Sequence, residues 1–194
     1  MQRRNFMLSA AVALASGGMA LAGCTTTGNS SNASTDMSKR QSIDANVNDA
    51  MTKLYSTVNG SRELVAKSRG VLVFPSVLQA GFIVGAQYGE GALRVGGATT
   101  GYYSTVSGSF GLQAGAQSKA IIFCFMTQDA LEKFRSTDGW AAGADASVAL
   151  VTVGANGAVD TNTATHPVEV FVMTNAGLMA DVSLAGTKVT RLKI

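Results

Sequence analysis

The sequence is short of the residues that most protein chemistry needs. In 194 residues it has one histidine, two cysteines, two prolines and one tryptophan, and only 14% of its residues are charged. A zinc site assembled from several His and Cys ligands is excluded by those counts. Two cysteines give no disulfide framework, because Cys24 closes an export signal and leaves Cys124 unpartnered in the apolar run Ala120–Met126. With no basic neighbour to lower its pKa, Cys124 reads as a small core residue. The single His166 stands before Pro167 at a turn, and the sequence sets no nucleophile beside it. Asp129, Glu132, Asp138, Asp145, Asp160, Glu169 and Asp181 are scattered over turns and helix surfaces, with no spacing that marks an acid–base pair. No G-x-x-x-x-G-K-[ST] loop occurs, and the glycines from Gly89 to Gly97 lack the strand-to-helix setting of a dinucleotide fingerprint. No catalytic residue, metal ligand or cofactor is therefore assigned, and the chain reads as non-enzymatic.

What is present begins at the N-terminus. The stretch MQRRNFMLSAAVALASGGMALAGC has a positive start, an apolar run from Phe6 to Leu21 and small residues leading to a cysteine, which is the layout of an export signal. Leu21-Ala22-Gly23-Cys24 resembles the bacterial lipoprotein cleavage box. That resemblance implies removal of residues 1–23 and acylation of Cys24 with palmitate-type chains. Arg3-Arg4-Asn5-Phe6 also resembles a twin-arginine signal, so the export route stays open between that and general secretion. Thr25, rather than aspartate, follows the cysteine, and the sorting habit of such lipoproteins then implies the outer membrane, facing the periplasm or the surface.

The formal net charge of +3 is misleading, since Arg3 and Arg4 leave with the signal. The mature chain keeps 13 basic against 12 acidic residues. A nucleic-acid binder carries a strongly basic patch or stripe, and that class is set aside.

Residues 24–38 are rich in Ser, Thr and Asn, without a large apolar residue before Met37, and read as a flexible tether. The remaining residues, 39–194, suffice for one core. Ile43, Val47, Ala50, Met51, Leu54 and Val58 recur at helical spacing, with Ser42 able to cap the start. Asn59-Gly60 ends that helix, and Ser61–Ser68 reads as a second short one. After Arg69 the texture changes to short runs rich in Val, Ile, Phe, Tyr and Gly, which predict closely spaced strands in an antiparallel meander. One helix, QDALEKFRS capped by Thr127, interrupts them. The strand runs ASVALVTVG, VEVFVMT, LMADVSL and KVTRLKI follow, separated by turns at Asn156-Gly157, Ala176-Gly177 and Ala185-Gly186-Thr187. The expected fold class is α+β: N-terminal helices and a helix after Thr127 packed on a curved, mostly antiparallel and barrel-like sheet.

The run AGFIVGAQYGEGALRVGG places glycines at 81, 85 and 89. The uncharged length from Val71 to Gly89 could span a bilayer as a helix. Pro75, Gln79, Gln87 and the glycines argue against that and for a strand. One face then carries Phe82, Val84, Ala86 and Tyr88. The other, with Gly81, Ile83, Gly85, Gln87 and Gly89, is nearly bare backbone, suited to close approach by a helix, another sheet or a ligand. Gly111 and Gly115 repeat the device and suggest tight curvature.

Lys39, Arg40, Lys53, Arg62, Lys67 and Arg69 make the first part of the folded region basic. Cations beside an amphipathic helix can meet an anionic membrane surface, or can be the solvated side of a core-packed helix.

The segments AKSRGVLVFPSVLQAGFIVGAQYGEGAL, GYYSTVSGSFGLQAGAQSKAIIFCFMTQDALEKF and AGLMADVSLAGTKV, in that order, resemble the SYLF domain family, also described as actin-regulating in fungi. The resemblance runs from about Ile43 to Ile194. It implies a lipid-binding module for phosphoinositides or other anionic phospholipids, used through an amphipathic N-terminal segment. Tyr102-Tyr103-Ser104-Thr105 stands where many relatives carry Trp-Ser-x-Pro, so ligand identity does not transfer. In this reading Lys53, Arg62, Lys67 and Arg69 contact headgroups, and Val47, Met51 and Leu54 offer the apolar face. The expected partners are membrane lipids, reached through acylated Cys24 and the N-terminal helices. Nucleic acid and actin are not expected, and no protein partner is named. The alternative is a non-catalytic structural or protein-interaction lipoprotein whose only membrane contact is its acyl anchor.

Overall fold

The computed structural model describes residues 33–194 apart from 82–83, 111–116, 154–157, 160–165, 176 and 180–182. The expected signal peptide, Cys24 and the turn at Asn156-Gly157 lie outside the described residues. In chain order the elements are α1 (Ala33–Thr57), α2 (Ser61–Lys67), β1 (Gly70–Gly81), β2 (Val84–Val95), β3 (Ala98–Phe110) and β4 (Gln117–Phe125). After these come α3 (Gln128–Ser136), β5 (Trp140–Ala141), β6 (Val148–Leu150), β7 (Val168–Thr174), β8 (Gly177–Leu178) and β9 (Lys188–Arg191). No helix among the described residues is long and apolar enough to cross a membrane.

The strands form one curled, mostly antiparallel half-barrel in the order β5-β9-β3-β2-β1-β4-β7-β6, with β8 on β7. The α+β expectation holds, but the meander does not. β3, β2 and β1 are sequential neighbours, whereas β4 pairs with β1 rather than β3. Three consecutive strands with the fourth returned beside the first is Greek-key order. The parallel pairing of β6 with β7 is a second departure.

Both faces of the central strands are covered, which is why VLVF, IIFCF and VFVM read as unbroken apolar runs. On one face Ile43, Val47, Ala50, Met51 and Leu54 of α1 and Leu64 of α2 pack on Val71, Val73, Ala92, Ile122, Cys124, Phe171 and Met173. On the other, Leu131 and Phe134 of α3 join Phe74, Phe123, Phe125 and Trp140. The rings of Phe123, Phe125 and Phe134 lie 5.4 to 6.2 Å from that of Trp140. The α3 limits coincide with the sequence reading, and Thr127 caps it by accepting from the Ala130 amide at 3.2 Å.

α1 starts well before the expected Ser42, which lies inside it, so residues 33–38 of the expected tether are helical. Burial does not explain this extension. Polar ties of the following turn do: Lys39 pairs with Glu90 at 2.8 Å, and the Arg40 guanidinium donates to the Ile194 backbone oxygen.

The strand expected over Gly81–Gly89 is divided between β1, which ends at Gly81, and β2, which starts at Val84, and the two pair with Ala80 opposite Ala86 and Gly81 opposite Gly85. The register of β1 shifts around Pro75 against both neighbours, so the proline sits at a bulge. Gly89 and Gly91 face that bulge. A Cβ on Gly91 would stand 2.0 Å from the Val73 carbonyl oxygen, and one on Gly89 would stand 2.9 Å from that of Ser76. At Gly89 and Gly91, what approaches the bare backbone is therefore the adjacent strand. Residues 111–116, including the second glycine device, lie outside the described residues. The expected strands ASVALVTVG and LMADVSL are reduced to β6 and β8 among the described residues.

Candidate functional site

A cleft of about 640 Å³ opens where α1 and α2 diverge above the ends of β1 and β2. Its position follows from local chemistry. Gly60, with φ of 82°, turns the chain sharply after α1, and the Ser61 hydroxyl donates to the Val58 carbonyl at 2.6 Å. α2 then ends at Lys67, and the Arg69 amide donates to the Phe125 carbonyl at 2.7 Å, which starts β1 beside β4. Gly70 follows, where a Cβ would meet Leu131 at 2.9 Å. The cleft is left between the two helices and the strand starts.

Its walls are amphiphilic. Met51, Tyr55, Val65 and Val71 supply apolar surface, and Arg69 and Arg94 supply charge. Arg94 lies near the end of β2, before the Gly96-Gly97 turn in which both glycines have positive φ. Its Nη2 donates to the Asp44 carbonyl oxygen at 3.4 Å. The Asp44 carboxylate is itself held by Thr99 and Tyr102, each donating at 2.8 Å. Burial and the bond to Asp44 push the Tyr102 phenol up to about 12. The Arg94 Nε is buried and has no hydrogen-bond partner in the structure. A buried, charged donor left unpaired is costly, and it calls for a physical reason. The Arg62 guanidinium stacks over the Tyr55 ring at 4.2 Å, closing the α2 side with a cation–π contact. Burial raises the Tyr55 pKa, and the charge of Arg62 offsets part of the rise.

The residues expected to meet headgroups do not converge. Arg69 lines the cleft, and Arg62 borders it through Tyr55. Lys53 points elsewhere, donating to the Thr174 carbonyl at 3.2 Å and the Asn175 side chain at 3.4 Å. Lys67 pairs with Glu63 at 2.9 Å on the surface of α2. The apolar trio is corrected outright as an exposed surface. Val47 and Leu54 are fully buried and Met51 is 8% exposed, because they form the core between α1 and the sheet. Only the edge of Met51 reaches the cleft.

Sequence reasoning passed over Arg94. The signal was there: it is the only charged residue between Glu90 and Lys119, set between Leu93 and Val95 in a strand. Cys124 is a buried core residue, and burial pushes its thiol pKa up, as its sequence setting implied.

A family model described as Las17-binding protein actin regulator, Ysc84, matches residues 106–193. This segment, rather than the whole chain, matches the SYLF domain family. The SYLF match begins within β3 and ends just past β9, so it takes in β4, α3 and β7. The cleft residues from α1, α2, β1 and β2 precede the matched SYLF segment and are this chain's own evidence. No curated protein matches the chain.

Proposed function

We propose that this chain is a non-catalytic, exported lipoprotein, acylated on Cys24 and held at the outer membrane, whose SYLF-type domain binds one anionic lipid in the cleft. The unpartnered, buried Nε of Arg94, a residue that lines an apolar-walled cleft together with Arg69, carries the proposal. Guanidinium groups bind phosphate oxygens with short, charge-assisted bonds. Met51, Val65 and Val71 would cover the glycerol and the first methylenes of the acyl chains. The cleft volume is within the range of small-molecule sites, roughly 300–1,000 Å³. The family description concerns Las17 binding and actin regulation, and an envelope location offers neither partner. What transfers is the lipid-facing role that the SYLF resemblance implies.

The test is titration of the chain with dihexanoyl phosphatidylglycerol below its micelle concentration, for the parent and for Arg94→Met. Saturable one-site binding by the parent is expected, weakened about 10-fold or more in the variant, since hydrogen bonds to charged groups contribute about 1.5–3 kcal/mol. Equal binding by both proteins contradicts the assignment of Arg94. No binding by the parent favours a lipoprotein whose acyl chains are its only membrane contact.

A further inference from the structure

The face of the sheet that carries α1 continues past the helix, and no other described residue covers it there. Leu78 of β1 is the cross-strand partner of Tyr88 of β2, and Tyr88 is the partner of Val106 of β3. They are 56%, 49% and 51% exposed, a row of three large apolar side chains on adjacent strands. Side-chain alternation fixes the face. Tyr88 shares it with Glu90, which binds Lys39 of α1, and with Ala92, which is buried beneath the helices. Val106 shares it with Tyr102, which binds Asp44 of α1. Thr35, Ser38 and Lys39 of the first turns of α1 border one hollow with Leu78 and Tyr88. Met37, in those turns, is 60% exposed. The row thus lies beside the start of α1.

The chemistry fits a lipid surface. The Tyr88 hydroxyl is tied to Glu90 at 2.7 Å, so its polar tip is satisfied, while the ring remains half exposed. Such a ring, apolar in body and polar at one end, suits the boundary between acyl chains and headgroups. Lys39 stands at one side of the row, and exposed Lys188 is the cross-strand partner of Val106 at the other. The chain length sets the reach. Eight residues separate Cys24 from Ala33, and an extended chain covers at most about 3.5 Å per residue, so α1 starts within roughly 30 Å of the cysteine.

We propose that the Leu78–Tyr88–Val106 row rests on the bilayer that holds the acyl chains of Cys24. This rests on the lipoprotein reading above. It makes the membrane-facing surface a sheet face rather than the apolar side of α1, which is spent in the core.

The experiment uses the full chain, produced with its acyl group and reconstituted into phosphatidylethanolamine–phosphatidylglycerol vesicles. An environment-sensitive nitrobenzoxadiazole label is placed at Leu78→Cys or Val106→Cys, positions that leave the Tyr88–Glu90–Lys39 ties intact. The control is Ser136→Cys, exposed at the end of α3 on the opposite face. Circular dichroism confirms that each variant is folded, and mass spectrometry confirms acylation. Expected are a blue shift and loss of emission to shallow doxyl-labelled lipid at 78 and 106, with neither at 136. Emission at 78 and 106 matching 136 on acylated, vesicle-bound protein overturns the proposal and leaves the lipoprotein reading standing. A blue shift without doxyl quenching also overturns it, by showing that a second copy or another protein covers the row. Absence of the acyl group overturns both readings.

Discussion

Replacing Leu54 by alanine separates a core-packed α1 from one that inserts its apolar face into membranes. Leu54 is fully buried and packs in the cluster that joins α1 to β1, β4 and β7. The substitution removes three carbons, which at about 0.8 kcal/mol for each buried methylene is roughly 2.4 kcal/mol of transfer free energy. The cavity left in a clamped layer adds to that, and Leu→Ala changes in cores cost about 2–5 kcal/mol in all. We expect about 3–4 kcal/mol, a large share of the roughly 5–15 kcal/mol that holds a domain together. At about 2–4 °C per kcal/mol for a domain of this size, the midpoint of thermal unfolding falls by roughly 6–16 °C. Urea unfolding followed by far-ultraviolet circular dichroism gives the free energy, and calorimetry gives the midpoint. A loss below about 1 kcal/mol, together with weakened vesicle binding, would refute the placement of this face in the core.

Gly91→Ala sets a Cβ against the Val73 carbonyl oxygen at the Pro75 bulge and is expected to cost at least the 1–3 kcal/mol usual for overpacking. Gly108→Ala meets nothing within 4 Å and should be neutral or slightly stabilising, so a pair of urea midpoints checks both. Burial pushes the Glu169 carboxyl pKa up, despite hydrogen bonding and charge from His166, so the folded chain keeps a proton that the unfolded chain has already released. Its contribution to stability is therefore full below about pH 4 and is lost as pH rises through the raised folded value. Glu169→Gln, which keeps an acceptor for the His166 amide, should flatten that decline and stabilise the chain at pH 7, as read from urea midpoints across pH. Reversing Lys53 and Lys67 should change affinity for short-chain phosphatidylglycerol by no more than about fivefold, the scale of a surface ion pair. Arg69→Glu should weaken it by more than that in the same titration.

The sequence made the local elements legible where local physics decides them. Thr127 and the periodic Ala130, Leu131 and Phe134 mark α3 to the residue, because a cap and an apolar face are properties of a short window. The same holds for the buried face of α1, whose spacing is plain, although its destination is not. An apolar stripe reads identically whether it meets a sheet or a bilayer, and only the fold shows that Val47, Met51 and Leu54 meet the sheet. The seat of β4 beside β1 depends on non-local pairing, as does the use of Gly89 and Gly91 to admit the Pro75 bulge. Arg94 escaped notice because its significance lies in what surrounds it: Asp44 from fifty residues away, the Tyr55 wall and the Arg69 bend meet only after folding. Lys53 and Lys67 show the converse, since nearness in sequence to Arg69 did not bring them to the cleft.

The most direct test of the cleft is the side-chain Nε–H resonance of Arg94 in a nitrogen-15 heteronuclear spectrum, recorded while dihexanoyl phosphatidylglycerol is added. The account predicts that this signal shifts and saturates together with the backbone amides of Arg69, Gly96 and Gly97, while Lys53 and Lys67 stay unmoved. Saturable shifts confined to Lys53, Lys67 and the outer surface of α2, with the Arg94 Nε–H unchanged, would contradict it.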